Sequence, residues 1–354
     1  MSARIVLRSP FGERSVRDIV DGRWAEPSGE VETTIGEGSW ALPGLADAHA
    51  HLAAEELNFQ PGVFEDAMRR AKASLGAGVT LILDKGWSDD VTIQVIDALG
   101  PDQRPEIEAA ARLLTSPGGY YPDFAHEIDP SDIGEAVAEE AKAGAGWVKL
   151  VGDWPRRGVG PVANFSETEL RRAVEVAESV GAKVAIHTMA REVPSMAVAA
   201  GAHSIEHGLF LTESDIGALG TRGGMWVPTL LRNEVTMAQL GAESSGGKLF
   251  VEGLVRIRRL LPLAIESGVH VLTGTDLVGS PVDVAAEARR LGDYGLSSAQ
   301  VVSAVSTAAF VATGRDASFA EGTYADAVLF PENPIDDLAV LTHPSHVIRR
   351  GRLL

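Results

Sequence analysis

The sequence predicts an α/β protein, a (β/α)8 TIM barrel with a small β-sandwich-like domain built from both chain ends. From Trp40 onward, apolar strand-like segments alternate with amphipathic helical segments, which is typical of parallel βαβ units. The two ends of the chain carry short β-like segments broken by glycine and proline instead. We therefore expect a barrel over residues 41–314 and a small β domain formed by residues 1–40 and 315–354.

Eight apolar segments are candidates for the barrel strands. An open, doubly wound sheet can also be built from such units, but eight strands in one long block favour the closed barrel. The predicted strands are residues 41–46, 79–84, 106–113, 147–151, 184–187, 204–207, 226–229 and 269–273.

The helix after the fourth strand can be placed from its ends. Ser166 and Glu169 form the pattern of a capping box, and apolar residues then recur at helical spacing until Gly181. This segment predicts one α-helix bounded by strands.

Shorter β-like segments lie at both chain ends. Residues 4–8, 18–20 and 31–35 alternate apolar and polar side chains, and residues 325–330 and 347–351 return to such a pattern. We expect both ends to build one small sheet.

The composition excludes several classes of protein. The chain of 354 residues is 45% hydrophobic and 23% charged, without the roughly 20-residue apolar run of a membrane span. No apolar segment typical of a secretory signal follows the first charges, so we expect a cytoplasmic protein. The net charge of −18 opposes binding to nucleic acid. A small-molecule substrate is the expected partner, and a homo-oligomer stays possible.

Four histidines at predicted strand ends are candidate metal ligands. The chain has no cysteine, so a metal site must use nitrogen and oxygen ligands. His49 and His51 follow the first barrel strand, where alternation places both imidazoles on one side. His187 and His207 end two later strands. Taken singly, a histidine at such a position is more often a hydrogen-bonded core residue than a ligand.

Two further residues are candidates of a different chemistry. Asp276 follows the last strand, where an Asp after Gly-Thr is by default a helix N-cap or a turn former. Lys149 lies inside an apolar strand, where an unpaired ammonium is costly. It either forms a buried salt bridge or, as a neutral amine, adds carbon dioxide to become a bridging anionic ligand.

The joint placement of these residues strengthens each assignment. They lie in or just beyond different strands, and the active sites of barrels lie at the C-terminal ends of the strands. Independent structural roles do not explain why all of them should converge on one rim. The predicted metal ligands are His49, His51, Lys149, His187, His207 and Asp276.

Three motifs resemble those of the amidohydrolase superfamily. Residues 43–52 (PGLADAHAHL) resemble its PGLIDxHxH opening, residues 204–208 (SIEHG) its SIEHG strand, and residues 274–276 (GTD) its final GTD strand. The resemblance extends over nearly the whole chain through residues 78–84, 227–230, 322–327 and 333–334. The subgroup that the chain most resembles is the imidazolonepropionase-like one, which includes Xaa-Pro dipeptidases.

The resemblance implies a binuclear metal centre with a carboxylated lysine. Zinc is the favoured ion for such ligands, with manganese, iron and cobalt as alternatives. The implied ligands are His49, His51 and Asp276 for one ion, His187 and His207 for the other, and carboxylated Lys149 between the two.

Such a centre predicts hydrolysis of an amide-like C–N bond in a small molecule, such as a dipeptide, an N-acyl amino acid or a lactam. A metal-bound hydroxide would attack the carbonyl, and Asp276 would move the proton to the leaving nitrogen. Two alternatives stay open: a mononuclear-metal deaminase of a ring substrate, in which Lys149 only orders the site, and an inactive barrel used for binding. No expected ligand is missing, which favours the enzyme.

Substrate specificity is expected to reside in loops beyond the strands, where the sequence departs from the family. Residues 118–120 read Gly-Gly-Tyr instead of Gly-Gly-His, and residues 152–157 replace a Ser-Gly-Gly segment. An arginine there could bind a substrate carboxylate, although Arg156 and Arg157 are equally well explained as balancing acidic surface. The candidate substrate residues are Tyr120, Tyr121, Trp154, Arg156, Arg157 and Arg232.

Other polar residues are expected to stay outside the site. Alternation along the strand predicts that Glu206 points to the opposite side from His207. The histidines without a partner at ligand spacing, interpreted as structural, are His126, His203, His270, His343 and His346.

Overall fold

The computed structural model describes residues 3–31, 33–54, 63–277 and 284–354, and the elements below lie in those ranges. Strands occupy both chain ends, and strands alternate with helices between them. The strands are β1 (Ala3–Arg8), β2 (Arg14–Val20), β3 (Arg23–Ala25), β4 (Thr33–Ile35), β5 (Trp40–Leu42), β6 (Leu45–Ala50), β7 (Val79–Asp84), β8 (Glu106–Ala109), β9 (Leu113–Thr115), β10 (His126–Glu127), β11 (Trp147–Val151), β12 (Asp153–Arg156), β13 (Gly160–Ala163), β14 (Lys183–Thr188), β15 (Ser204–His207), β16 (Met225–Val227), β17 (His270–Val271), β18 (Ala327–Phe330), β19 (His346–Arg349) and β20 (Arg352–Leu353).

Helices follow most of the central strands, as expected of βαβ units. None of the described helices has the length and apolarity that a membrane span requires. The α-helices are α1 (Phe64–Gly76), α2 (Val91–Ala98), α3 (Ile133–Ala143), α4 (Glu167–Ser179), α5 (Val193–Ala200), α6 (Glu213–Thr221), α7 (Leu230–Leu240), α8 (Ser245–Glu266), α9 (Val284–Asp293), α10 (Ser298–Ala304) and α11 (Thr307–Ala312).

The helix predicted from the capping box is α4. The Glu169 N–H donates to the Ser166 hydroxyl oxygen over 3.3 Å, and the Ser166 N–H donates to the Glu169 carboxylate over 2.6 Å. The helix ends at Ser179, just before Gly181 takes a φ of 79°. The helix therefore begins directly after Ser166 and ends two residues before Gly181, in agreement with the prediction.

The central strands are parallel and follow one another in chain order. One sheet contains β6, β7 and β8, and another contains β11, β14, β15, β16 and β17 next to one another. A parallel bridge between Ala109 and Gly146 connects the two sheets. On the other side, the Ala48 N–H donates to the Thr273 carbonyl over 2.8 Å. The last strand region thus returns to the first, which is consistent with the expected barrel.

The parallel strands bury side chains on both faces, because helices cover them outside and other strands face them inside. Leu81 and Leu83 of β7 pack in one cluster with Trp147, whereas Ile82 belongs to the cluster shared with the helices. Trp147 and Lys149 lie two residues apart and so share one face of β11. The site that contains Lys149 therefore rests on a packed apolar floor.

The strand bounds differ from the predicted ones where the backbone bends. The predicted strand 41–46 is divided into β5 and β6 at Gly44, whose φ is 149°. A Cβ at this position would lie 1.6 Å from Oγ1 of Thr80, so only glycine fits. The division shifts β6 onward, and His49 lies inside the strand rather than after it. The predicted strand 106–113 is likewise divided into β8 and β9.

The chain ends form two four-stranded sheets, not the single sheet that was expected. One has the order β3-β2-β1-β4 and the other β20-β19-β18-β5. They share a buried cluster to which Ile5 and Trp24 contribute from the first sheet and Ala41, Leu329 and Ile348 from the second. Since β5 directly precedes β6, this cluster adjoins the start of the parallel strands.

Glu287 on α9 binds the first amides of α7. Its two carboxylate oxygens accept hydrogen bonds from the N–H groups of Leu230 and Leu231, over 2.7 and 3.0 Å. The side chain is fully buried. Burial raises the pKa of the Glu287 carboxyl to about 8, although the two hydrogen bonds oppose that shift. The folded protein therefore holds a proton that the unfolded chain releases at lower pH.

We expect the Glu287→Gln variant to show a weaker loss of stability than the native protein as the pH rises from about 5 to about 8. The folded pKa lies above the unfolded one, so the native protein loses up to about 1.4 kcal/mol of unfolding free energy per pH unit from this group. Denaturant unfolding across that range measures the difference. A difference between the two proteins that does not change with pH would contradict the titration of Glu287.

Candidate metal centre

Four histidines and one aspartate meet at the C-terminal ends of the parallel strands. His49 and His51 lie at the end of β6, His187 on β14, His207 at the end of β15, and Asp276 beyond β17. All five are buried. Because the strands are parallel, their carboxyl ends share one edge, and residues distant in sequence come together there. Lys149 lines the same cavity, so all six predicted ligands face one space.

His49, His51 and Asp276 form one compact group. Nε2 of His49 and Nε2 of His51 each lie 3.5 Å from Oδ1 of Asp276. Nδ1 of His51 lies 2.6 Å from the Gly86 carbonyl oxygen, which can only accept a hydrogen bond. The proton of His51 is therefore on Nδ1, and its Nε2 lone pair is available to a metal ion.

His187 and His207 form a second group. Nε2 of His207 and Nδ1 of His187 are 2.9 Å apart, and Nδ1 of His207 lies 2.6 Å from the Thr229 hydroxyl. Nε2 of His187 is buried without a hydrogen-bond partner in the described part of the chain. Two imidazole nitrogens that face each other can bind a single ion between them.

Glu206 lies inside the site, and the prediction that it would point away was wrong. Its Oε2 lies 2.6 Å from Nδ1 of His49, and its Oε1 lies 3.3 Å from the Lys85 ammonium. His207 takes a φ of 64°, so the extended geometry that alternation assumes ends at that residue. The side chains of Glu206 and His207 can therefore both reach the site.

The contact with Glu206 orients His49 for metal binding. Burial would raise the pKa of the Glu206 carboxyl, but Lys85, Lys149 and His49 together hold it well below its usual value. An ionised carboxylate beside Nδ1 keeps the imidazole proton there. Nε2 of His49 is then the nitrogen that faces Asp276.

Lys149 has no ion pair with any described residue. It is 2% exposed, and its Nζ has no hydrogen-bond partner in the parts of the chain that the structure covers. Burial lowers the pKa of the Lys149 ammonium to about 8, against the opposing attraction of Glu206. The buried salt bridge considered from the sequence is therefore not observed, because Glu206 pairs with Lys85 instead.

The electrostatics of the site favour neutral imidazoles beside an ionised carboxylate. Burial lowers the pKa of His49 to about 4 and that of His207 to about 3, and it holds the pKa of His187 well below its usual value. Burial alone would raise the pKa of Asp276, but the nearby histidines and Arg232 keep it well below its usual value. Neutral imidazole and ionised carboxylate are the forms that bind metal ions.

A cavity of about 330 Å³ opens over these residues. Among the predicted substrate residues, the lining includes Tyr120, Tyr121, Trp154 and Arg232. Arg156 is absent from the described lining and donates instead to the side chains of Ser116 and Asn164, over 3.2 and 3.0 Å. Arg157 is also absent from that lining and is exposed. None of the five histidines interpreted as structural is part of the described lining.

The sequence analysis missed Lys85, which is 1% exposed and pairs with Glu206. It directly follows the apolar strand β7, just as the ligands end or follow theirs. Its neighbour Asp84 accepts hydrogen bonds from the N–H groups of Leu52 and Gly86, over 2.6 and 2.9 Å. The charged pair Asp84–Lys85 at the end of a buried strand was the signal that could have indicated both residues.

The sequence profile of the amidohydrolase family matches residues 40–354. The chain belongs to the amidohydrolase family. The resemblance inferred from the three motifs is thereby confirmed, and the matched segment contains the six cavity residues described above.

Known proteins resemble this amidohydrolase in sequence and in fold. An uncharacterized protein of Mycobacterium tuberculosis (strain ATCC 25618 / H37Rv) is 32% identical over 350 residues, covering 94% of this chain and 90% of the relative. Ochratoxinase of Aspergillus niger is 27% identical over 241 residues, covering 63% of this chain and 49% of the relative. The crystal structure of a Xaa-Pro dipeptidase with methionine bound in its active site is 22% identical, covers 100% of both chains and gives a TM-score of 0.83. That likeness shows a shared fold.

We expect the Glu206→Gln variant of this amidohydrolase to bind Zn²⁺ roughly 10 to 100 times more weakly, because the neutral amide no longer holds the proton on Nδ1 of His49. Equilibrium dialysis against a chelator of known affinity measures the change. Glu140→Gln is the matched control, since Glu140 is equally buried but pairs with Arg112 outside the cavity. Equal affinities in both variants would contradict the role of Glu206.

Proposed function

We propose that the protein is a metal-dependent hydrolase that cleaves an amide-like C–N bond of a small molecule, such as a dipeptide, an N-acyl amino acid or a lactam. One observation carries this proposal: neutral histidines, an ionised Asp276 and an unpaired Lys149 amine line one buried cavity. Membership of the amidohydrolase family supports it. So does the neighbour of similar fold that holds an amino acid, methionine, in its active site.

We propose that the site holds two divalent ions, with zinc as the first choice for imidazole and carboxylate ligands. The grouping of ligand atoms of His49, His51 and Asp276 within 4.8 Å of one another supports the first ion. Nζ of Lys149 otherwise lacks a hydrogen-bond partner among the described residues. Divalent ions held here would supply Lewis acidity toward a carbonyl oxygen and lower the pKa of a water molecule. The proposed ligands are His49, His51 and Asp276 for one ion, His187 and His207 for the other, and carboxylated Lys149 between them.

Asp276 is the proposed proton carrier. Its Oδ1 faces Nε2 of His49 and of His51, while its Oδ2 lies 3.8 Å from Nε of Arg232. Oδ2 is therefore the oxygen left to accept the proton of the attacking water and pass it to the leaving nitrogen. The Asp276 N–H donates to the His49 carbonyl over 2.8 Å, which positions the carboxylate for this transfer.

We also propose that the eight parallel strands close into a (β/α)8 barrel over residues 41–314. The hydrogen bond from Ala48 to Thr273 supports the closure. Residues 1–40 and 315–354 would form one β-sandwich-like domain, which the cluster shared by their two sheets supports. This arrangement puts the cavity at the strand ends, where the loops can shape it.

The hydrolase proposal predicts that a chelator abolishes hydrolysis and that Zn²⁺ or Mn²⁺ restores it, because water is too weak a nucleophile unless its pKa is lowered. Purified protein, metal-free or metal-loaded, is assayed against a panel of dipeptides, N-acyl amino acids and lactams. Circular dichroism before and after chelation controls for unfolding. Full activity in thoroughly metal-free protein would contradict the metal-dependent mechanism of hydrolysis.

The proposed modification of Lys149 follows from its surroundings. A neutral buried amine can add to carbon dioxide, forming an N–C bond and releasing one proton, and the product is an anionic carbamate. Nζ of Lys149 has no hydrogen-bond partner among the described residues. In the carbamate, the two oxygens would provide contacts to the metal ions instead. A short carboxylic acid has the same donor atoms and is small enough for the space that an alanine would leave.

We expect Lys149→Ala to lose one of two bound ions and most of its activity, with partial rescue by added acetate or propionate. Lys85→Ala is the matched control, because Lys85 is also buried but pairs with Glu206, so acid should not rescue it. Metal analysis and the ¹³C-carbamate resonance after labelling with bicarbonate give readouts independent of activity. Two ions retained in Lys149→Ala would refute a bridging role for Lys149. One ion in both proteins, together with no carbamate signal in the native protein, would favour the mononuclear alternative.

A further inference from the structure

We propose that Asn164 is a positioning residue for the substrate, although it lies outside the described lining of the cavity. It holds the loop after β9, which carries Tyr120 and Tyr121, against the β12–β13 hairpin, which carries Trp154. These three side chains form the aromatic wall of the cavity. This inference rests on the proposed hydrolysis, because it assigns to Asn164 the placement of the surface that a substrate contacts.

The aromatic wall adjoins a proposed metal ligand. The ring centroid of Trp154 lies 4.5 Å from that of Tyr120 and 4.7 Å from that of Tyr121. It also lies 6.1 Å from the ring centroid of His187. The position of the wall therefore sets how much space a substrate has beside His187.

Asn164 joins the two segments of the wall from behind. It directly follows β13 and is 5% exposed. Its Nδ2 donates to the Gly119 carbonyl over 2.9 Å and to the Val151 carbonyl over 2.8 Å, and it lies 3.1 Å from Oγ1 of Thr115. A carbonyl oxygen can only accept a hydrogen bond, so these contacts fix the orientation of the amide.

The amide of Asn164 acts where the pairing of two strands ends. β9 and β11 pair in parallel as far as Leu114 and Leu150. Thr115 and Val151 are the next residues of these strands, and Nδ2 of Asn164 contacts both of them. Its bond to the Gly119 carbonyl extends this order into the loop that carries Tyr120.

The other end of the amide binds the loop to the hairpin a second time. Oδ1 of Asn164 accepts hydrogen bonds from the Ser116 hydroxyl over 3.2 Å and from Nη2 of Arg156 over 3.0 Å. Nη2 of Arg156 also donates to the Ser116 hydroxyl oxygen over 3.2 Å. Both ends of the Asn164 amide are thus paired, and a fully paired polar network is rigid.

Gly119 shows how closely the loop approaches Asn164. A Cβ at this position would lie 2.4 Å from Oγ1 of Thr115 and 2.5 Å from Oδ1 of Asn164. A side chain at position 119 would therefore push the loop away from the amide.

Asp153 anchors the hairpin on a different segment. Its side chain is fully buried, and its Oδ2 accepts hydrogen bonds from the N–H groups of Met189 and Ala190, over 2.7 and 2.9 Å. These residues follow His187 on the loop after β14. Because Asp153 holds the hairpin beside His187, the contacts of Asn164 determine where the loop with Tyr120 lies relative to that ligand.

A purely local role for Asn164 accounts for only part of these contacts. Its backbone N–H donates to the Gly152 carbonyl over 2.8 Å and so closes the base of the hairpin. Any residue other than proline could make that bond. The bonds of the side chain reach β9, β11 and the loop after β9, and these need an amide with both a donor and an acceptor.

Fluorine NMR of the full chain labelled with 5-fluorotryptophan tests the placement of the wall without an activity assay. The chain contains six tryptophans, and Trp154→Phe assigns the resonance of Trp154. We expect this resonance to shift or broaden in Asn164→Asp, because a carboxylate has no donor for the two carbonyls. The resonance of Trp24, which belongs to the cluster of the chain ends, should stay unchanged.

Two further variants complete the NMR experiment. Gly119→Ala should change the Trp154 resonance in the same way, which keeps the test decisive if Asn164→Asp fails to fold. Asn233→Asp is the matched control, since Asn233 is also buried but donates to the Pro228 carbonyl, and it should leave the Trp154 resonance unchanged. An unchanged Trp154 resonance in Asn164→Asp or in Gly119→Ala would overturn the positioning role.

Kinetics then test whether the wall positions the substrate. The metal-loaded proteins are assayed with the dipeptide, N-acyl amino acid or lactam of the panel that the native protein hydrolyses fastest. In Asn164→Asp and Gly119→Ala we expect KM to rise at least about tenfold, with kcat within about threefold of the native value and the bound metal unchanged. A loss of bound metal, or a lower kcat at an unchanged KM, would assign Asn164 to the metal centre instead and overturn the proposal.

A double-mutant cycle tests whether Asn164 acts through the wall. In the Trp154→Ala background, Asn164→Asp should change KM by less than about threefold, because the surface that Asn164 positions is already lost. Additive effects of the two substitutions would show that Asn164 stabilises the fold only.

The two assays separate this inference from the proposed hydrolysis. A changed Trp154 resonance in Asn164→Asp, with no panel compound hydrolysed by the native protein, would support the positioning of the wall and refute the hydrolase. Hydrolysis by the native protein with KM unchanged in both variants would refute the positioning role alone.

Discussion

The buried contact between Glu206 and His49 is the interaction on which the site depends. A carboxylate without solvent is tolerated only when it is paired, and Glu206 has the Lys85 ammonium 3.3 Å away and the Ser204 hydroxyl at 2.6 Å. Lys85 in turn lies over the ring of Trp147, 4.4 Å from its centroid. This chain of contacts connects the apolar floor to the first histidine. Lys85 already balances the charge of Glu206. The Lys149 amine, which lines the cavity, is therefore left without a partner among the described residues.

Backbone strain is concentrated at the ends of the strands that bear the ligands. His207, Thr229 and Asp276 take φ values of 64°, 45° and 43°, which side chains with a Cβ rarely adopt. Such conformations persist only where the surroundings fix them. The Trp226 indole donates to the His207 carbonyl over 3.0 Å, and the Asp276 amide donates to the His49 carbonyl over 2.8 Å. The positive φ of His207 lets the consecutive residues Glu206 and His207 both approach the metal ligands.

The site divides into a rigid half and a half shaped by loops. The ligands lie on or just beyond parallel strands, whose packing fixes them, whereas Trp154 lies on the β12–β13 hairpin and Tyr120 beyond β9. This division lets one metal centre serve different substrates when the loops change. It also explains why family membership indicates the chemistry rather than the substrate.

The sequence by itself determined the parallel α/β pattern and the ligands at the strand ends, because hydrophobic periodicity and residue type are local properties. It could not place Glu206, since the alternation that predicted its direction fails where His207 leaves the extended conformation. It also could not distinguish Arg156 from Arg232, because both arginines follow a predicted barrel strand. Only the tertiary structure decided that Arg156 pairs with neighbouring side chains and that Arg232 lines the cavity. The reason is that these contacts join segments far apart in the chain.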